Sequence, residues 1–132
     1  MPVEILWWDK QGQSIDILSN NGKLKWTALI RQPDCITKNL FSLAVNQVEN
    51  KGYFGISNKI EYESFYEGPA VQIMDTGSFD TLFNAKSKIN DFMSNNNLIE
   101  NGKYHEIFIY GLRKFKLEKA KTIIRQPVKR QI

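Results

Sequence analysis

Hydrophobic and polar positions divide the chain into short segments of two kinds. Val3–Trp8 is apolar, aromatic and β-branched, which predicts a strand. Residues 9–23 predict a long hairpin loop closing on the turn Asn20-Asn21-Gly22. Leu24–Gln32 predicts a second strand, ended by Pro33-Asp34. Thr37 fits a helix N-cap, Leu40, Phe41, Ala44, Val45 and Val48 fall on one helical stripe, and Gly52 fits the stop. Ile60–Glu67 alternates like a half-buried strand, interrupted at Gly68-Pro69, and Ala70–Thr76 continues as a strand. Ser78 is the expected cap of a second helix with the stripe Phe79, Leu82, Phe83, Ile89, Phe92 and Met93, and Ala85 at its edge. Asn95-Asn96-Asn97 ends it. Lys103–Tyr110 and Lys121–Val128 predict strands on either side of a loop.

Strands and helices mix without regular βαβ alternation. The expected class is α+β, a mostly antiparallel sheet with helices on one face.

The chain also resembles itself. Leu29-Ile30-Arg31-Gln32-Pro33 returns ninety-four residues later as Ile123-Ile124-Arg125-Gln126-Pro127, and Glu4-Ile5-Leu6-Trp7-Trp8 is mirrored by Glu106-Ile107-Phe108-Ile109-Tyr110. The expected plan is a pseudo-twofold repeat of strand–helix–strand–strand units. Residues 1–34 are the remnant of a first unit, 35–58 a connecting helix and 59–132 a complete second unit, all in one domain. A strand pair without its helix leaves apolar faces uncovered, which points to a homodimer completing the missing half-unit.

Composition narrows the class. With 132 residues, 24% charged and 42% apolar, the chain can bury a core and is neither disordered nor fibrous. No apolar run approaches the roughly 20 residues needed to cross a bilayer. Met1-Pro2-Val3-Glu4 has no basic stretch ahead of an apolar one, so the chain is expected to begin here and stay in the cytoplasm. One cysteine, Cys35, and one histidine, His105, speak against a zinc site; Cys35 reads as a small buried residue. No metal and no cofactor are expected.

The net charge of +4 is uneven. Residues 103–132 hold nine Lys/Arg against Glu106 and Glu118, a balance of +7, so the rest carries −3. The basic residues lie along a strand and loop, beside no helix-turn-helix or zinc-finger pattern. They read as a solvated edge rather than a nucleic-acid surface.

Candidate chemistry centres on the acidic strands. Alternation puts Glu106, Phe108 and Tyr110 on one face and His105, Ile107 and Ile109 on the other. The isoleucine face suits packing under a helix. The other face holds a carboxylate among aromatic rings, a trap for a hydrophobic or cationic molecule. The mirrored strand offers Glu4, Leu6 and Trp8.

The blocks Leu6-Trp7-Trp8, Lys25–Asp34, Glu67-Gly68, Val71–Met74, Thr76-Gly77, His105–Ile109 and Lys121–Lys129 resemble, in order, the GyrI-like small-molecule-binding proteins. These are relatives of the effector-binding domains of bacterial drug-responsive regulators. The resemblance implies a pseudo-twofold fold with a cleft between units that takes amphipathic, often cationic, molecules. It places an acidic residue at Glu106 in that cleft. Some stand-alone relatives hydrolyse the cyclopropane ring of DNA-alkylating compounds. The family's first strand and helix have no match here; Asp75–Phe79 and Tyr110–Leu112 depart from its pattern. The expected function is therefore small-molecule binding, as a sensor or sequestering module rather than an enzyme. The alternatives are cyclopropane hydrolysis and a truncated copy without independent activity.

Overall fold

The computed structural model describes residues 1–9, 24–77, 79–110 and 120–132. The expected turn at Asn20–Gly22, the cap Ser78 and the loop 111–119 lie outside the described residues, as do the side chains of Phe79 and Tyr110. The elements are β1 (Val3–Trp8), β2 (Lys25–Leu29), α1 (Lys38–Asn50), a 3₁₀ turn (Ile56–Asn58), β3 (Ala70–Thr76), α2 (Phe79–Asn95), β4 (Leu98–Glu100), β5 (Tyr104–Tyr110) and β6 (Lys121–Arg130). The class is α+β, with every strand pairing antiparallel. No helix among the described residues is long and apolar enough to cross a membrane.

The chain forms two compact units: Met1–Arg31 with Glu67–Ile132, and Gln32–Tyr66. In the smaller unit, Thr37 caps α1 as expected, its hydroxyl accepting from the Leu40 amide at 3.3 Å. No α1 residue is buried. Residues 60–67 form no strand, contrary to their alternation. Glu61 and Glu63 share a hydrogen bond that raises the Glu61 carboxyl, and Tyr62 stacks on Phe41 at 5.5 Å instead of pairing in a sheet. Alternation alone does not make a strand where no neighbour supplies ladder hydrogen bonds. Cys35 is exposed rather than buried.

The larger unit holds the sheet, in the order β2-β1-β5-β6-β3, with β4 pairing the end of β6. Its register carries the internal repeat. Leu29 of β2 opposes Glu4, and Ile123 of β6 opposes Ile107. Placing Leu29 on Ile123 therefore places Glu4 on Ile107, and those two oppose each other where β1 meets β5. A local twofold passes between them, relating β1-β2 to β5-β6. The alignment of Glu4 with Glu106 is thus one residue out. Side chains alternate, so Glu4 and Glu106 project from opposite faces. Beyond β6 the second half continues into β3 and α2. Beyond β2 nothing corresponds among the described residues.

The core forms where α2 meets the sheet. Ala85, Ile89 and Met93 pack with Tyr104, Ile124 and Val128, and Trp7, Val71, Ile73, Leu82 and Leu98 close around them. The buried stripe runs through Leu82, Ala85, Ile89 and Met93, while Phe83 and Phe92 stay exposed. The small Ala85, expected at the edge, lets the helix come close to the strands. Asn97, at φ 53, turns the chain out of α2 into β4, a strand too short to show in the sequence.

Candidate active site

The covered face of the sheet is set by Tyr104, which lies in the core under α2. Alternation along β5 then puts Glu106 and Phe108 on the α2 side and His105, Ile107 and Ile109 on the other. The sequence reading had the isoleucine side under the helix, and the structure reverses it. Register brings Trp7 opposite Tyr104, Ile5 opposite Glu106 and Val3 opposite Phe108. Trp7, not Trp8, therefore joins Glu106, and its indole Nε1 donates to Glu106 Oε2 at 3.0 Å.

Glu106 is 9% exposed. Burial pushes its carboxyl above the usual glutamate range. Hydrogen bonds from Trp7 and Tyr104, and the charges of His105 and Lys86, offset part of that rise. Burial also pushes the Tyr104 phenol up, reinforced by the negative charge of Glu106 and the hydrogen bond to it. The phenol thus stays protonated. Lys86, on α2, holds its ammonium 5.3 Å from the centre of the Tyr104 ring. The result is a carboxyl that keeps its proton more readily than an ordinary glutamate, fixed by two donors and a cation. A buried carboxyl held by donors in this way is a candidate for proton transfer.

Around Glu106 lies a shelf of half-buried apolar side chains, Val3, Ile5, Trp7 and Phe108. α2 bounds it on one side. Towards β2 it runs onto Trp26 and Ala28, which are exposed. An open hollow lined by Phe83, Lys86, Ser87, Asn90 and Glu100 touches this region only through Lys86.

Glu4, Leu6 and Trp8 lie on the far face. Trp8 is covered by Lys103, whose Nζ sits 3.7 Å from the ring centre. Glu4 belongs to a charged row that sequence reasoning missed. His105, only 1% exposed, sits between two carboxylates, with Nε2 2.8 Å from Glu4 Oε2 and Nδ1 2.8 Å from Glu67 Oε1. Arg125 Nη1 donates to Glu67 Oε2 at 2.9 Å, and its Nε to Gln72 Oε1 at 2.9 Å. Burial would raise the Glu67 carboxyl, but the bonds from His105 and Arg125 outweigh it and hold the group below its ordinary range. Two carboxylates thus share an imidazole, and one of them also pairs with a guanidinium. The row ties the strand entry at Glu67 to β1, β5 and β6. Among the described residues, no group of three or more His, Cys, Asp or Glu could hold a metal ion.

No family model matches the chain, and no curated protein does. Solved structures similar to it include the following three. One is an uncharacterized conserved protein from Listeria innocua, 30% identical with a TM-score of 0.84. Two are described as hydrolases from Listeria innocua, 29% and 30% identical, with TM-scores of 0.78 and 0.81. Each match covers 97% of this chain but only 62% or 63% of the other. The chain thus spans less than two thirds of the length of the structures it resembles.

Proposed function

We propose that this chain is a GyrI-like domain that binds a hydrophobic small molecule on the shelf beside α2, against Glu106. The observation carrying this reading is the carboxyl of Glu106: deeply buried, bonded by Trp7 and Tyr104, and set in an apolar surface open towards β2. The rings of Trp7 and Phe108 offer flat apolar contact. Ionised Glu106 would pair with a ligand cation, each ring adding about 0.5–2 kcal/mol of cation–π attraction. Titration with a lipophilic cationic dye, followed by tryptophan fluorescence, tests the reading. Saturable quenching that disappears in Trp7→Phe supports it; no response from the folded protein refutes it.

A second reading, hydrolysis of a strained ring, is favoured by the two similar structures described as hydrolases. For a cyclopropane conjugated to a carbonyl, protonated Glu106 would donate its proton to the carbonyl oxygen as the ring C–C bond breaks. Water would attack the released carbon and return a proton to the Glu106 carboxylate. The net change is addition of water across one bond. Tyr104 and Trp7 hold the carboxyl in place. Turnover of a cyclopropane-containing alkylator, lost in Glu106→Gln, separates catalysis from binding alone.

A further inference from the structure

We propose that β2 is a self-pairing edge, joining two copies of this chain through an antiparallel β2–β2 ladder with its twofold axis at Thr27. Among the described residues, β2 pairs only with β1. Four of its five residues are exposed, and Trp26 is 60% exposed. Natural edge strands are protected by proline, inward charge, bulges or a covering element. From Trp26 to Leu29 there is neither a proline nor a charge. At the opposite edge, Val71 and Ile73 of β3 pack against the core cluster that α2 helps to build.

The β2 sequence is complementary to itself when reversed. With Thr27 opposite Thr27, Trp26 of one copy faces Ala28 of the other, large against small on the shelf side of the sheet. Lys25 faces Leu29, so the only charge on the strand does not meet its like. Such cross-strand pairs are the unit of sheet stabilisation, and the interface is isologous and closes as a dimer. It extends the shelf across the axis, bringing Trp26 of the second copy beside Ala28 of the first.

The test uses the full chain. Light scattering is expected to give twice the chain mass, falling towards one on dilution. In a Cys35→Ser background, Thr27→Cys should form a covalent dimer under mild oxidation, because position 27 opposes itself. Lys25→Cys should not. Trp26→Glu combined with Ala28→Glu places like charges opposite one another and should abolish the dimer, while Trp26→Glu with Ala28→Lys should restore it. Circular dichroism reports folding in each case, and if the charged variants unfold, the cysteine pattern decides. A monomer at every concentration, cross-linking at Lys25 equal to that at Thr27, or a dimer indifferent to both charge pairs would overturn the proposal. None of these readouts depends on Glu106 or on ligand.

Discussion

The two halves of the sheet start from the same residues and reach different ends. Ile124 in β6 is 0% exposed beneath α2, while its counterpart Ile30, one residue past β2, is 55% exposed. Ile123 and Leu29 occupy equivalent places in the register on the other face. Among the described residues, only the second half carries a strand and helix beyond its paired strands. An apolar side chain in a strand is thus a core residue only where another layer covers it. The first half leaves half-buried Ile5 and exposed Trp26 in reach of a ligand or a partner, whereas the second fixes Tyr104 and Glu106.

The sharpest break between the halves is expected from paired truncations. Ile124→Ala should cost about 4 kcal/mol in urea denaturation, as befits a fully buried aliphatic. Ile30→Ala should stay within about 0.5 kcal/mol, as surface changes do. Equal costs would show that the first half is covered too. Next in size is the charged row on the far face. His105→Gln removes two buried hydrogen bonds to charged groups, at Glu4 and Glu67, and should cost about 3 kcal/mol.

pH sharpens the contrast between the two faces, because Glu67 and Glu106 shift in opposite directions. The folded Glu67 carboxyl lies below its ordinary value, so its contribution is present above that value and lost as pH falls through the folded one. Glu67→Gln should therefore remove part of the acid-side loss of stability. The folded Glu106 carboxyl lies above its ordinary value, so its ionisation penalises the fold as pH rises past the ordinary range. Glu106→Gln should relieve that penalty at neutral pH and change little in acid. Urea midpoints across pH 3–8, a window spanning the ordinary glutamate value of about 4.3, check both signs. The smallest effect is expected from Trp7→Phe, about 1 kcal/mol for one lost hydrogen bond.

Much of this was legible in the sequence. Thr37 announced its cap, Asn95–Asn97 its helix stop, and the repeated Ile-Arg-Gln-Pro segment the paired halves. The face of Glu106 was not legible. Alternation separates Glu106 from His105 but does not say which side meets the helix, and β5 is apolar on both. The Trp7-Trp8 pair hid the choice further, since either ring could line a site. The one-residue slip between Glu4 and Glu106 is a property of register, which only pairing partners reveal. His105 gave no signal because its partners, Glu4 and Glu67, lie far away in sequence. Residues 60–67 misled because their alternation met no neighbouring strand.

The most direct test compares two glutamates that the sequence treats as twins and the structure puts on opposite faces. Dye affinity is measured by calorimetry at neutral pH for Glu106→Gln and Glu4→Gln. The shelf beside α2 predicts a loss of about tenfold or more, roughly 1.4 kcal/mol, for Glu106→Gln, and unchanged affinity for folded Glu4→Gln. Loss in Glu4→Gln with full affinity in Glu106→Gln would move the ligand to the far face and contradict the account.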